Sequence, residues 1–148
     1  ESVEEIAKAI GVEAKSKDAD VLLGPTINLH RHPLGGRHFE CYSEDPLLTG
    51  ELAASYVKGI QGVGVSACLK HFIGNDTEYQ RHFVSSNIDD RTLRELYLLP
   101  FEMAIKEANA KDNGAAVEKA APAWVVQSAS EARLRWQAAQ KKALDQGT

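Results

Sequence analysis

The apolar residues at the start of the chain recur with the period of a helix. Residues 2–17 carry them at helical spacing, as Ile6, Ala9, Ile10 and Ala14. Ser2 precedes the first of these apolar residues, and Glu5 lies three residues after Ser2, which is the spacing of a capping box. The sequence therefore predicts an amphipathic helix over residues 2–17 with Ser2 as its N-cap.

Two short apolar runs, residues 19–23 and 65–69, predict buried strands. A long stretch rich in Gly, Pro and His, residues 26–45, follows the first run. A polar stretch, residues 70–88, follows the second. Loops of this length are uncommon in compact domains and often carry function.

A helix is predicted after the first of these loops. Asp45 and Pro46 have the order of a capping residue followed by a first-turn proline, and Gly62 and Gly64 provide signals for the end of the helix. The predicted apolar stripe of this helix consists of Leu48, Leu52, Tyr56 and Ile60.

A third helix is predicted over residues 90–108, after the second loop. Pro100 lies inside it and should kink it or begin a new turn, because proline cannot donate the backbone hydrogen bond of a regular helix. The residues predicted to share its apolar side are Leu93, Leu96, Tyr97, Phe101 and Ala104.

The order of these elements, with strands alternating with helices, predicts an α/β fold with parallel strands. A complete (β/α)₈ barrel takes about 250 residues, so a chain of 148 residues holds at most part of one.

The composition changes after residue 108. Residues 109–148 contain 11 of the 20 alanines and no Ile, Phe, Tyr, His or Cys. We expect an Ala-rich, helical C-terminal tail here, with a helix over residues 130–146. The only run that could form a parallel strand is Trp124-Val125-Val126, so the tail is not expected to continue the barrel.

Composition and charge exclude some classes of function. The hydrophobic fraction of 43% and the charged fraction of 26% are those of an ordinary globular domain. A net charge of −4 argues against a nucleic-acid partner. No apolar run approaches the roughly 18 residues that a membrane span needs, and two cysteines do not make a disulfide framework.

The first loop presents an arginine directly after two glycines. Gly35 and Gly36 allow a sharp turn, and Arg37 follows with donors suited to hydroxyls or carboxylates. The simpler interpretation is a surface turn in which Arg37 pairs with Glu40 or Glu44. The length of the loop and its position after a strand favour a functional role.

The second loop begins with Lys70 and His71, immediately after the second strand. In a parallel α/β barrel, ligands bind where the loops leave the carboxyl ends of the strands. Both loops therefore leave the same end of the predicted sheet. A solvated lysine and a structural histidine are the simpler interpretation. Further polar groups in this loop are Asn75, Asp76, Glu78 and Arg81.

The histidines of the first loop also fit a weaker metal hypothesis. His30, His32 and His38 have a His-x-His-x₅-His spacing, and histidine is a common zinc ligand. This spacing matches no closed structural zinc site, so we predict no metal.

Several of these segments together resemble the family 3 glycoside hydrolases, which include β-glucosidases. The resemblance covers residues 1–108 and rests on motifs that occur in the family's order and spacing. These motifs are Gly24-Pro25-Thr26-Ile27-Asn28, Pro33-Leu34-Gly35-Gly36-Arg37-His38-Phe39-Glu40, Tyr42-Ser43-Glu44-Asp45-Pro46, Lys70-His71-Phe72-Ile73-Gly74-Asn75 and the helix that begins at Arg91-Thr92-Leu93-Arg94-Glu95.

The resemblance implies an amino-terminal (β/α)₈ barrel, of which residues 1–108 would be a part. It also implies retaining hydrolysis of terminal β-glucosidic bonds without a metal or organic cofactor, with a small-molecule or oligosaccharide β-glucoside as substrate. Arg37, Lys70 and His71 would hold the hydroxyls of the sugar, with Arg81 as a further contact. Charged donors suit this task, because charge-assisted hydrogen bonds are the stronger ones.

The catalytic residues stay unassigned in this chain. Retaining hydrolysis uses two carboxyl groups about 5 Å apart. In the family the nucleophile is an Asp in a later Ser-Asp-Trp stretch, and the acid/base comes from a following domain. No Ser-Asp-Trp occurs here. The alternative function is that of a noncatalytic sugar-binding fragment or a remnant. As for partners, the uncovered strand edges of an incomplete barrel favour self-association.

Overall fold

The computed structural model describes residues 1–109, and the predictions for the tail lie outside that part of the chain. Three helices of two or more turns pack around a pair of short strands. In chain order the elements are α1 (Ser2–Ser16), β1 (Val21–Leu22), a 3₁₀ turn (His38–Glu40), α2 (Pro46–Gln61), β2 (Ser66–Ala67), α3 (Asp90–Thr92), a π-helical segment (Leu93–Tyr97) and α4 (Leu99–Asn109).

The two strands are parallel, as the sequence predicts. Val21 is opposite Ser66, and an isolated parallel bridge joins Thr26 to Lys70 further along. Both strands are shorter than the apolar runs. The ladder is interrupted between these two parts, because the N–H of Gly24 donates to the carbonyl of Leu22 in its own segment. Within residues 1–109 the fold is therefore α/β, with one parallel pair of strands.

Helix α1 packs on α2 through small residues. Ala7 and Gly11 are buried, and Ala7 shares a core cluster with Ile60 and Val65. The predicted apolar face was partly wrong, since Ile6 is 60% exposed. Close contact between two helix backbones selects small side chains, and a large Ile cannot fit between them.

Helix α2 also packs against α4, so two of its faces are covered. A second core cluster contains Ile27, Ala53, Phe101 and Ala104. The predicted apolar stripe of α2 was also partly wrong. Leu48 is 44% exposed, and the small residues around Ala53 are buried instead.

The ends of the helices follow local signals in most cases. Asp45 caps α2 by accepting hydrogen bonds from the backbone N–H groups of Leu47 and Leu48, and the helix ends before Gly62, as predicted. The predicted capping box at Ser2 was wrong. Ser2 lies inside α1, and Glu1 occupies the N-cap position without a side-chain hydrogen bond.

The third predicted helix is broken just before Pro100. The N–H of Leu98 donates to the carbonyl of Leu93, which is the spacing of a π-helix, and α4 starts at Leu99. The predicted interruption at Pro100 therefore takes the form of a π-helical segment, after which a new helix starts. Tyr97 and Phe101 are buried on the inner side, whereas Leu96 is 38% exposed.

Gly59 provides a direct test of the contact between α1 and α2. A Cβ atom added at Gly59 would lie 2.4 Å from the backbone oxygen of Glu4 and 2.7 Å from the Cβ atom of Ala7. We expect Gly59→Ala to lower the free energy of unfolding by about 1–3 kcal/mol, although alanine is normally the better helix former. Urea unfolding of the 148-residue chain measures this.

Glu51→Ala is the matched control, because Glu51 lies on an exposed side of the same helix. It should stay within about 0.5 kcal/mol of the unmodified chain. If Gly59→Ala were at least as stable as the unmodified chain, the close contact between the helices would be disproved.

Candidate functional site

The end of the strand pair positions Lys70 and His71. The backbone N–H of Ile27 donates to the carbonyl of Lys70 at 2.7 Å, and the N–H of Lys70 donates to the carbonyl of Pro25 at 3.1 Å. One residue on, the buried side chain of Asn28 is hydrogen-bonded to both main-chain groups of His71. Both residues thus leave the sheet at its carboxyl end.

Two glycines bring Arg37 to the same end. A Cβ atom at Gly35 would lie 2.1 Å from the His38 ring, so a larger residue there would displace that ring. Gly36 has a φ of +77°, a conformation that glycine adopts readily. The chain then enters the 3₁₀ turn, with Arg37 at its start and Glu40 at its end.

The carboxylate of Glu40 lies between the side chains of Thr26, Arg37 and Lys70. It accepts a hydrogen bond from Thr26 Oγ1 at 2.6 Å and one from Arg37 Nε, and Lys70 Nζ lies 3.4 Å from its Oε2 atom. Burial alone would raise the pKa of Glu40. The Thr26 hydroxyl and the two cations outweigh that effect and lower the pKa to about 2.

Arg37 links this carboxylate to His71. The Nη1 atom of Arg37 lies 3.0 Å from the Nε2 atom of His71. A guanidinium only donates, so Nε2 accepts and the ring proton lies on Nδ1. Burial, Arg37 and Lys70 all lower the pKa of His71 from its ordinary value of 6.5, which keeps the imidazole neutral at pH 7.

A second carboxylate, that of Glu78, binds the guanidinium of Arg81. Glu78 accepts hydrogen bonds from Asn75 Nδ2 and Arg81 Nη1, both at 3.1 Å, and lies 3.6 Å from Arg37 Nη1. The Asn75 hydrogen bond first, then the two arginines, lower the pKa of Glu78.

The structure therefore brings the four predicted residues, Arg37, Lys70, His71 and Arg81, into one connected group. We call it the cationic cluster. The sequence predicts Glu40 only as an ion-pair partner of Arg37 and Glu78 only as a polar group of the second loop. It gives Thr26 and Asn28 no role of their own. Their roles depend on partners that lie 14 and 43 residues away in the chain, for which short-range sequence patterns give no signal.

The side chain of Asp76 has a different partner, the hydroxyl of Tyr97. It accepts a hydrogen bond from the Tyr97 hydroxyl, to which Arg31 Nη1 also donates at 2.9 Å. Burial and the Asp76 carboxylate raise the pKa of Tyr97 to about 12, so its hydroxyl stays protonated. These three side chains border a pocket of about 300 Å³ that residues 84–89 complete.

The histidines of the first loop are engaged within the loop. His30 Nε2 lies 2.9 Å from the carbonyl oxygen of His38, and the two rings stack. His32 Nδ1 accepts the N–H of Leu34. Across residues 1–109, no three His, Cys, Asp or Glu side chains are arranged to hold a metal ion. Both cysteines are free.

No helix in the part of the chain that the structure describes is both long enough and apolar enough to cross a membrane.

The clustered donors lie at the carboxyl end of a parallel strand pair, where ligands of parallel α/β proteins bind. The sequence model of the Glycosyl hydrolase family 3 N terminal domain matches residues 1–124. The chain therefore belongs to glycosyl hydrolase family 3 and lies in its N-terminal domain.

Relatives and solved structures agree with this assignment. A beta-glucosidase of Rhizobium radiobacter is 54% identical over 111 residues, which are 75% of this chain and 14% of that protein. Beta-glucosidase 3B from Thermotoga neapolitana, solved in complex with alpha-D-glucose, is 52% identical with a TM-score of 0.70 and covers 72% of this chain. The match covers 15% of that structure's chain.

A beta-glucosidase from Kluyveromyces marxianus, solved in complex with glucose, is 50% identical with a TM-score of 0.71. The match covers 72% of this chain and 13% of that one. The chain thus spans about one seventh of the length of the relatives that it matches.

The charge of Glu40 should stabilise the folded chain in a pH-dependent way. Because the pKa of Glu40 is lowered to about 2, its contribution is complete above the ordinary value of 4.5 and is lost as the pH falls toward 2. We expect Glu40→Gln to lower the free energy of unfolding by about 2–3 kcal/mol at pH 7. Urea unfolding of both proteins should show this difference shrinking below pH 4.5.

Glu44→Gln serves as the control, since Glu44 is an exposed residue near the same turn. It should change the stability little at any pH. A Glu40→Gln chain that loses no stability at pH 7 would contradict the central role of this carboxylate.

Proposed function

We propose that this chain forms part of the (β/α)₈ barrel of a β-glucosidase that hydrolyses terminal β-glucosidic bonds, and that residues 1–108 hold the sugar. The parallel strand pair supports the barrel, and the names of the relatives support the reaction. The substrate would be a small-molecule or oligosaccharide β-glucoside, and the reaction needs no metal or organic cofactor.

The cationic cluster is the observation that carries this proposal. Arg37 and Lys70 have side chains that are 28% and 25% exposed, so they are partly covered but still reach solvent. A guanidinium has five donors and an ammonium has three, and the contacts with Glu40, His71 and Glu78 use only some of them. The remaining donors would bind sugar hydroxyls together with the neutral ring of His71.

Arg81 would extend this site outward. Its side chain is 48% exposed, and Glu78 holds it beside Arg37. In this arrangement Arg81 would contact the sugar at the open side of the cluster, while Lys70 and His71 contact it from the strand end.

The carboxylates of Glu40 and Glu78 are suited to holding the cations of the cluster in place. A general acid in glycoside hydrolysis needs a raised pKa, whereas the pKa of Glu40 and that of Glu78 are both lowered. This contrast favours a sugar-binding role for the described residues and gives weight to a second candidate function, that of a sugar-binding unit that does not hydrolyse the bond by itself.

A chimera tests the binding role within a complete enzyme. The chain's residues would replace the 111 matching residues of the Rhizobium radiobacter enzyme. We expect the chimera to hydrolyse an aryl β-glucoside. Lys70→Ala should lower its kcat/KM by about 10- to 100-fold, the effect of losing a charged hydrogen bond.

Lys58→Ala is the matched control, because Lys58 is an exposed lysine on α2 that pairs with Glu107. It should leave kcat/KM unchanged. A folded chimera in which Lys70→Ala is as active as Lys58→Ala would refute the assignment of Lys70.

The 148-residue chain alone should hydrolyse an aryl β-glucoside far more slowly than the chimera, if at all. The described residues provide donors for the sugar, but hydrolysis also needs an acid for the leaving group and an attacking group. The assay compares the chain with Asp76→Asn, Glu78→Gln and Lys70→Ala. Robust turnover that one carboxylate substitution abolishes would refute the binding-only function and identify the catalytic carboxylate.

A further inference from the structure

The side chain of Asn28 is joined to the main chain of His71 by two hydrogen bonds. Its Oδ1 atom accepts from the His71 N–H at 2.9 Å, and its Nδ2 atom donates to the His71 carbonyl at 3.0 Å. A side-chain amide has the same donor and acceptor as a peptide group. Asn28 thus extends the parallel ladder by one step beyond the bond from Ile27 to Lys70.

Among the residues that the structure describes, these two bonds alone hold the backbone of His71. Within residues 1–109, the N–H and the carbonyl of His71 have no other hydrogen-bond partner. Asn28 is only 2% exposed, so solvent does not reach these bonds in the folded chain. Losing this side chain would leave two backbone groups without partners and would release the segment that carries the imidazole.

We propose that Asn28 is a positioning residue of the cationic cluster, which fixes the His71 backbone so that the imidazole stays in contact with Arg37. The contact in question is the 3.0 Å approach between Arg37 Nη1 and His71 Nε2. The consequence of this role for sugar binding rests on the proposed function, whereas its effect on His71 rests on the hydrogen bonds alone.

The hydrogen bonds themselves can be measured in the unmodified chain. NMR hydrogen exchange should show strong protection of the Asn28 side-chain amide and of the His71 N–H. The side-chain amide of Asn87, an exposed residue, provides the unprotected reference. An Asn28 side-chain amide that exchanges as fast as that of Asn87 would overturn the proposal, and this result needs no variant that might fail to fold.

The position of His71 is read from the pKa of its ring, followed by NMR in Asn28→Ala and Asn28→Ser. The charged groups that act on this ring are Arg37, Lys70, Glu40 and Glu78. Burial and the two cations lower its pKa in the intact chain, so displacement of the ring should raise the pKa toward 6.5. A folded variant with an unchanged His71 pKa would overturn the proposal.

Ile60→Ala separates positioning from general destabilisation. Ile60 is fully buried in the other core cluster, so this substitution should lower Tm. It should leave the pKa of His71 unchanged. If it raised that pKa as much as Asn28→Ala does, the effect of Asn28 would be one of general stability, and the positioning role would be disproved.

Glucose titration then tests the link to sugar binding. Glucose affinity should fall about tenfold in Asn28→Ala and stay unchanged in Ile60→Ala. An unmodified chain that does not bind glucose would refute the proposed function, while the ring titration would still decide the role of Asn28. Undiminished glucose affinity in a variant with a displaced His71 ring would disprove the contribution of Asn28 to binding.

Discussion

The site depends on one carboxylate that is shared by two cations. Arg37 and Lys70 come from loops that follow different strands, and both contact the same carboxylate. Without that carboxylate, their like charges would repel each other. Glu40 compensates for that repulsion, and the Thr26 hydroxyl fixes the orientation of the carboxylate. Exposed ion pairs contribute little to stability, but this group is partly covered and includes several charges. It can therefore hold donors in place and still leave some of them for a ligand.

The parallel ladder explains why these loops meet. Parallel strands direct their carboxyl ends to the same side, and the bond between Ile27 and Lys70 lies at that end. Helix α2 connects the two strands and is covered on one face by α1 and on another by α4. The strand pair and the three helices thus set the position of both loops, and the cationic cluster adds only local bonds between the loops.

Sequence reasoning succeeded where the signals are local. Asp45, Pro46 and Gly62 predicted the ends of α2, because caps involve residues a few positions apart. It was only partly right for the apolar faces of α1 and α2, because it included large residues such as Ile6 and Leu48 where close helix contacts select small ones. Asn28 was missed for another reason: its partner lies 43 residues away in the chain.

The contact between Gly36 and Glu78 has a consequence for how such loops can be recombined. An added Cβ atom at Gly36 would lie 3.2 Å from the Cβ atom of Glu78, so the first loop lies directly against the second. Arg37, the next residue, also lies 3.6 Å from the Glu78 carboxylate. The two loops are therefore a single unit for protein engineering. Grafting one of them from a more distant relative while keeping the other would separate surfaces that fit only each other.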